Sequence, residues 1–355
     1  MKELIEELEV DALLLLSRQN KYYCASLYSG SGYVLVTKDK IVVMVDGRYY
    51  QQMKEANKHN EVVLLDANHS LPFYLQKWKK ENNIKKIVFE KSTISYSEYE
   101  MLMSIQDITW VAADVDKIRQ IKTKDEIATI QKAGDIASQA YQHILQFIKV
   151  GMSEKEVENE LLYQMRKLGA DKESFDTVIV SGERGALPHG KASDKIIEAT
   201  DFVTIDFGAR YKEYCSDITR TFAMTNNYNQ ELKRIYDIVL TAQQKAINAI
   251  QPGMKCSQID KVARDYIEKN GYGSYFTHNL GHSIGIDCHE NPRLSPQDDT
   301  VLQVGMIVTV EPGVYVEGLG GVRIEDDVLV SKNGAVVLTS APKEFHVIGD
   351  DENGS

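Results

Sequence analysis

Two strand–turn–strand segments in the second half of the chain each place acidic residues within strand-like runs. In the first, the runs at residues 202–207 and 214–220 flank a polar turn centred between Tyr211 and Lys212. An antiparallel hairpin folded at this turn places Asp206 opposite Asp217, with both side chains on one face of the sheet. Like charges so placed repel each other unless a cation lies between them. The segment therefore predicts antiparallel sheet structure that carries a carboxylate pair.

The second segment repeats this pattern near the C-terminus. The runs at residues 308–311 and 322–325 flank a glycine-rich turn centred on Gly318, which places Glu311 opposite Glu325. A single buried acid, or a single pair, is ordinarily explained by structural hydrogen bonds. Two hairpins that each present a carboxylate pair favour a cation site over that explanation.

Three of the eight histidines, His278, His282 and His289, fall within twelve residues between the two hairpins. Gly281 and Gly285 disfavour an amphipathic helix here and indicate backbone that approaches another group closely. Four carboxylates and one imidazole can neutralise and coordinate two divalent cations, and this oxygen-rich set suits manganese, cobalt, iron or zinc. Two such metals share and activate a water molecule. The predicted reaction class is metal-assisted hydrolysis.

Three further residues are candidates for a role beside this cluster. His189 lies in a glycine-flanked loop, where a catalytic role and an ordinary turn both remain open. Arg323, two residues before Glu325, is expected on the same strand face and can hold a ligand carboxylate in place. Arg293 follows the histidine cluster, and it either binds a substrate carboxylate or is a solvated loop residue.

The pattern of apolar runs predicts two domains. Residues 1–120 alternate strand-like and helix-like segments and predict a small α/β domain with a mixed sheet. Residues 121–350 predict an α+β domain whose first two helices begin at the capping boxes Thr123–Glu126 and Ser153–Glu156, and residues 351–355 form a polar tail. The predicted strands of the first domain are residues 11–16, 33–36, 41–45, 61–65 and 86–89.

Charge and cysteine content exclude several classes of protein. With 52 acidic and 41 basic residues the net charge is −11, which argues against binding nucleic acid or an anionic membrane surface. No apolar run reaches the length that spans a bilayer, and the N-terminus lacks the features of a secretory signal. The four cysteines form no CxxC pair and are expected to be reduced thiols of a cytoplasmic protein.

The motifs together resemble those of the pita-bread metallopeptidases, and within that family those of Xaa-Pro dipeptidases (prolidases) and Xaa-Pro aminopeptidases. The resemblance rests on five motifs in family order, and residues 1–120 resemble the creatinase-type N-terminal domain of the same family. The motifs are the segments at residues 205–208, 215–221, 278–285, 311–313 and 321–326. The implied fold is a curved antiparallel sheet covered by helices and built from two related halves.

The resemblance also implies a role for each motif residue. Two divalent metal ions would be held by Asp206, Asp217, His282, Glu311 and Glu325, with Mn²⁺ as the expected metal and Co²⁺ or Zn²⁺ as alternatives. Glu311 would also be the general base. His189, His278 and His289 would bind substrate and stabilise the tetrahedral intermediate, Arg293 would hold the terminal carboxylate of a dipeptide, and Arg323 matches the arginine of the last motif. Asn279 departs from the usual glycine, and a homodimer is expected.

The leading prediction is an Xaa-Pro dipeptidase, which Arg293 favours because a carboxylate clamp beside the leaving proline excludes longer peptides. An Xaa-Pro aminopeptidase acting on longer peptides is the alternative that the same metal site supports. A non-catalytic binding module on the same fold is the alternative from another class, although such relatives tend to lose metal ligands. A methionine aminopeptidase and a two-metal phosphoesterase fit less well, since the first usually lacks the N-terminal domain and the second needs a phosphate-binding patch.

Overall fold

The computed structural model describes residues 1–349, and the predicted polar tail at residues 351–355 lies outside the described residues. The chain divides into two compact units, Met1–Arg119 and Gln120–Ser355. Within the described residues, none of the helices combines the length and the apolar character needed to cross a bilayer.

The first unit is built around a mixed six-stranded sheet with the strand order β4-β3-β2-β1-β5-β6. β1 pairs antiparallel with β2 and parallel with β5, as the predicted mixed α/β layer requires. Its elements are α1 (Lys2–Glu7), β1 (Ala12–Leu15), α2 (Arg18–Ala25), β2 (Tyr33–Thr37), β3 (Ile41–Val45), α3 (Tyr50–Ala56), β4 (Glu61–Leu64), α4 (Leu71–Asn82), β5 (Lys86–Glu90), α5 (Tyr96–Met103) and β6 (Thr109–Ala113).

The prediction for this unit found five of its six strands and missed the last. β6 lies at the edge of the sheet and is partly exposed along its length, and its apolar run at residues 110–113 is short and ends in two alanines, which have a low strand propensity. The helix α5 was also missed, although Ser95 and Glu98 form a complete capping box at its start.

The second unit contains four long helices and several antiparallel sheets, among them β12-β9-β8 and β14-β13-β15-β18-β19. Its elements are α6 (Lys124–Phe147), α7 (Glu154–Lys167), β7 (Lys172–Glu173), β8 (Val178–Ser181), β9 (Phe202–Phe207), β10 (Ala209–Tyr211), β11 (Tyr214–Cys215), β12 (Ile218–Ala223), α8 (Gln230–Ala249), α9 (Cys256–Lys269), β13 (Gly281–Ser283), β14 (Glu290–Leu294), β15 (Ile307–Val310), β16 (Gly313–Val316), β17 (Gly320–Arg323), β18 (Asp326–Ser331) and β19 (Gly334–Val337).

Helices cover these sheets and bury two hydrophobic cores. α6 and α7 pack with β9 and β12 in a core that includes Tyr141, Leu161 and Phe222. α8 and α9 pack with β15 and β18 in another core that includes Ile259 and Val328. The predicted α+β class, with antiparallel sheet covered by helices in the manner of the pita-bread fold, is therefore confirmed.

The first acidic hairpin differs from its prediction in register. The turn is formed by Lys212 and Glu213, both with positive φ, and Asp206 lies opposite Thr219. The prediction that Asp206 faces Asp217 across the sheet is wrong, because these two turn residues carry no glycine or asparagine that marks a left-handed turn. Asp217 instead follows β11, in the short break before β12.

The second acidic hairpin has the predicted register. Gly313 pairs with Arg323 on the turn side, and Val310 pairs with Asp326 on the other side. Glu311 and Glu325 therefore occupy matching positions in a break between the two paired segments. The same break separates β17 from β18.

Candidate metal centre

One cavity of about 360 Å³ in the second unit is bordered by every residue that the sequence predicts for the site. These residues are His189, Asp206, Asp217, His278, His282, His289, Arg293, Glu311, Arg323 and Glu325. Phe175, Val178 and Pro188 add an apolar wall to the same cavity. The elements of the fold thus bring together side chains that lie more than a hundred residues apart in the chain.

His282 is held so that one ring nitrogen faces the acidic residues. Its Nδ1 lies 3.1 Å from the carbonyl oxygen of Ser283 and donates to it, which leaves Nε2 as the nitrogen that faces the cavity. Nε2 lies 3.3 Å from Oε1 of Glu311 and 3.7 Å from Oδ2 of Asp217. The backbone N–H of His282 donates to Oγ1 of Thr309 at 3.0 Å, which fixes this strand beside Glu311.

The donor set fits a divalent cation. Asp206 Oδ1, Asp217 Oδ1 and Glu325 Oε1 are buried and have no hydrogen-bond partner within the described part of the chain. Ligand atoms of Asp217, His282 and Glu325 all lie within 4.8 Å of one another. Buried carboxylate oxygens without a partner are costly, and coordination to a metal ion satisfies them. These residues can therefore hold a metal.

The pKa shifts of Asp217 and Glu325 also favour a cation beside these carboxylates. Burial, reinforced by the charges of Glu325 and Asp206, raises the pKa of Asp217 well above its usual range. Burial and the charges of Glu311 and Asp206 likewise raise the pKa of Glu325. A positive ion between the carboxylates removes the cause of both shifts, since it compensates for lost solvation and for mutual repulsion.

Glu311 and His282 shift each other's pKa in opposite directions. Burial opposes the ionisation of Glu311, yet the hydrogen bond and charge of His282 prevail and lower its pKa to about 2. Burial would lower the pKa of His282, but the same bond to Glu311 raises it overall. Each of the two side chains therefore favours the charged form of the other.

Arg323 connects the two acidic hairpins. Its guanidinium donates to Asp206, to Oγ1 of Thr219 at 3.2 Å and to the hydroxyl of Tyr315 at 2.6 Å. Thr219 in turn donates to Oε2 of Glu325 at 2.7 Å. The carboxylate that Arg323 holds directly is thus that of Asp206 in the first hairpin, whereas Arg323 reaches Glu325 only through Thr219.

Several residues of the site have no signal in the sequence analysis. Tyr315 and Thr219 were missed because an aromatic or β-branched residue within a strand is most simply explained by packing. Asp327 was also missed, although it follows Glu325 in an acidic run. Its Oδ2 accepts the backbone N–H of Asp217 at 3.0 Å, and burial raises its pKa to about 8. Cys288 donates its thiol to Oδ2 of Asp217 at 3.2 Å.

The side chains on the open side of the cavity differ in how they are held. Both ring nitrogens of His278 are engaged, Nδ1 with the carbonyl of Asn279 at 2.7 Å and Nε2 with the hydroxyl of Tyr315 at 2.9 Å. His189, His289 and Arg293 are exposed. The ring of His289 lies 4.4 Å from that of His282, and its neighbours displace part of the water around it. This partial desolvation, followed by the charge of His282, lowers the pKa of His289.

Comparison with known proteins agrees with this geometry. The sequence matches metallopeptidase family M24 over residues 128–332 and the creatinase/prolidase N-terminal domain over residues 1–121. It is 40% identical to a protein named Xaa-Pro dipeptidase from Pyrococcus furiosus, over 97% of this chain and 100% of that protein.

Solved structures of similar proteins show the same fold. A structure described as Xaa-Pro dipeptidase from Bacillus anthracis is 44% identical, with a TM-score of 0.93 over 98% of this chain and 97% of that one. An X-Pro aminopeptidase structure from Thermotoga maritima is 37% identical, with a TM-score of 0.89 over 97% and 98% of the two chains. The resemblance inferred from the motifs is confirmed, and the chain belongs to metallopeptidase family M24, with a creatinase/prolidase N-terminal domain, and is a hydrolase.

Proposed function

We propose that this prolidase-like peptidase hydrolyses the Xaa-Pro bond of dipeptides. The observation that carries the proposal is that Arg293 borders the same cavity as Asp206, Asp217, Glu311 and Glu325, here called the acidic cluster. Its exposed guanidinium forms no ion pair with the residues that the structure describes, so it can bind the carboxylate of a substrate. A free carboxylate next to the scissile bond distinguishes a dipeptide from a longer peptide.

The proposal includes two divalent metal ions, with Mn²⁺ as the expected metal. Asp206, Asp217, His282, Glu311 and Glu325 would hold them, which is supported by the unpartnered carboxylate oxygens and by the close approach of the ligand atoms. When bound, two divalent ions supply Lewis-acid polarisation and lower the pKa of a water that they share.

The chain's own residues supply proton transfer and substrate contacts. Glu311 lies beside His282 at the cavity and is placed to accept a proton and return it to the leaving proline nitrogen. His189 and His289 make no hydrogen bond to any described residue, so both can donate to the substrate carbonyl oxygen. His278 is already bonded at both nitrogens, and we assign it the support of Tyr315.

Turnover of Ala-Pro and Ala-Pro-Ala with Mn²⁺ tests this function. We expect the wild-type protein to favour Ala-Pro, and Arg293→Gln to raise KM for Ala-Pro at least tenfold while the KM for Ala-Pro-Ala stays within twofold, because only the dipeptide presents its carboxylate there. Arg234→Gln, which changes an exposed arginine on α8, is the matched control.

The other outcomes select the alternatives. Efficient cleavage of Ala-Pro-Ala with Ala-Pro untouched would make the protein an Xaa-Pro aminopeptidase. Binding of Mn²⁺ and of both peptides with no cleavage of either would make it a non-catalytic binding module.

Two broader features complete the proposal. A homodimer is supported by α5, which exposes Tyr96, Tyr99 and Met103 along one face by 75%, 41% and 40%. Light scattering on the purified protein measures its mass and tests this state.

A cytoplasmic location is supported by the four cysteines, none of which forms a disulfide.

A further inference from the structure

Glu154 is a fully buried carboxylate whose two oxygens are saturated with hydrogen bonds. Oε1 accepts the backbone N–H of Ser181 at 2.8 Å and its hydroxyl at 2.9 Å. Oε2 accepts the backbone N–H of Ser193 at 3.0 Å and its hydroxyl at 2.7 Å. Nε of Arg184 donates to both oxygens, at 3.3 and 3.1 Å. None of these hydrogen bonds involves Asp206, Asp217, His282, Glu311 or Glu325.

These partners lie at the two ends of one loop. Ser181 is the last residue of β8 and Ser193 lies twelve residues later, so Glu154 fastens both ends of residues 182–192, here called the His189 loop. Arg184 extends this connection into the loop, because its Nη2 donates to the carbonyl oxygen of Lys191 at 2.6 Å. A chain of contacts thus runs from Glu154 to a residue two positions beyond His189.

The side chain of His189 has no contact of its own that fixes it. It is exposed, borders the cavity and makes no hydrogen bond to the described residues. The backbone beside it, in contrast, is closely packed, since a Cβ on Gly190 would come within 2.5 Å of Val180. The backbone of its loop therefore fixes the point from which the His189 side chain extends toward the cavity.

Helix capping does not explain Glu154. It is the first residue of α7, but the capping box of this helix is formed by Ser153 and Glu156, whose carboxylate accepts from the backbone and hydroxyl of Ser153. A buried charge is expensive unless it is fully hydrogen-bonded, and every bond that Glu154 accepts leads to the His189 loop or its ends.

We propose that Glu154 is a positioning residue for His189: it fixes the ends of the His189 loop and, through Arg184, its interior, so that the imidazole points into the cavity where the substrate binds. The proposal rests on the proposed function for its effect on turnover. Because the contacts of Glu154 are separate from the acidic cluster, Glu154 acts on substrate and leaves metal binding unchanged.

A double-mutant cycle with Ala-Pro and Mn²⁺ tests this role. We expect Glu154→Gln to lower kcat/KM at least tenfold when His189 is present and less than twofold in the His189→Ala background. The reason is that a misplaced imidazole lowers turnover, whereas its position no longer matters once the imidazole is absent. The dissociation constant for Mn²⁺ stays within twofold. Glu156→Gln, on the same turn of α7 but directed to Ser153 alone, leaves kcat/KM unchanged.

Equal losses in both backgrounds, or a loss of Mn²⁺ affinity in step with activity, would overturn the proposal. Arg184→Ala guards against misfolding of the Glu154 variant, because its side chain is 31% exposed and its removal leaves the serine bonds in place. The same cycle with this variant gives a decrease that vanishes without His189.

A readout without turnover separates this proposal from the proposed function. The carbon–proton resonance of the imidazole Cε1–H of His189, assigned by its loss in His189→Ala, moves in Glu154→Gln and stays in place in Glu156→Gln. If Ala-Pro is not cleaved by the wild-type protein, this spectrum still decides the role of Glu154, and an unchanged His189 resonance would refute it.

Discussion

The two hairpins that carry the carboxylates keep one register through an internal break, yet they present their acids differently. In the second hairpin Glu311 and Glu325 both lie in the break, at matching positions. In the first hairpin Asp206 lies within the paired strand β9, and only Asp217 lies in the break. The break releases backbone from pairing within the hairpin, and the N–H of Glu325 donates instead to the carbonyl of Thr219 at 3.1 Å.

This difference teaches that the two hairpins are joined by hydrogen bonds of their own, which need no metal. Arg323 of the second hairpin donates to Asp206 of the first, and Thr219 of the first donates to Glu325 of the second. An arginine paired with a carboxylate at one end and a hydroxyl at the other fixes the separation of the two acidic strands. The hairpins are therefore held at ligand distance before any cation binds.

Removing a ligand from either hairpin gives the largest expected effect. Asp217→Asn and Glu325→Gln should each abolish turnover of Ala-Pro, a loss beyond the roughly 100-fold that outer partners of a metal cost. The reason is that each variant removes the negative charge of a predicted metal ligand, one oxygen of which has no hydrogen-bond partner among the described residues. Glu317→Gln, at the exposed turn of the second hairpin, is the control and keeps its activity. Parental activity in both variants would disprove the metal assignment.

Metal binding should stabilise the folded protein because its ligands come from both hairpins. At a free Mn²⁺ concentration about 100 times the Kd, we expect about 2.7 kcal/mol of stabilisation and a rise in Tm of about 2–4 °C. Calorimetry measures the shift, and EDTA reverses it. Glu325→Gln abolishes the shift without lowering the Tm of the metal-free protein, since burial and nearby charge already disfavour its carboxylate, as its raised pKa shows. An equal Mn²⁺ shift in this variant would exclude Glu325 as a ligand.

The connection between the hairpins should matter less than the ligands themselves. Arg323→Lys keeps the charge but cannot reach Asp206, Thr219 and Tyr315 together, so we expect kcat/KM for Ala-Pro to fall about tenfold. Tyr315→Phe removes only the hydroxyl and should cause a smaller loss. If Arg323→Lys matched the wild type, the two hairpins would be held at their separation by other contacts.

The sequence predicts those parts of the fold and the site that are marked by residues close together in the chain. The starts of α6 and α7, at Thr123 and Ser153, were predicted because each is marked by a capping box, whose two side chains lie within four residues of the chain. Gly318 marked the second turn and gave the right register. The residues that the sequence analysis missed, such as Glu154 and Thr219, owe their roles to partners distant in the chain. A glutamate in the first turn of a helix is too common to reveal such partners.

The turns of the two hairpins provide the last and smallest test. Lys212 adopts a φ of 47° in the first turn, whereas Gly318 adopts 73° in the second, where a Cβ would meet no atom within 4 Å. Lys212→Asn should therefore stabilise the fold by about 0.5 kcal/mol, because asparagine tolerates this conformation better than lysine.

Gly318→Ala should destabilise the fold by about 1 kcal/mol for the opposite reason, with no steric contribution. Lys332→Asn, at an exposed position outside the left-handed region, is the control for loss of the lysine charge. Calorimetric Tm values measured without metal compare the variants. A Tm for Lys212→Asn at or below that of Lys332→Asn would show that the first turn is held by the side-chain contacts of Lys212, and the hairpins would then differ in what fixes their turns as well as in where they place their acids.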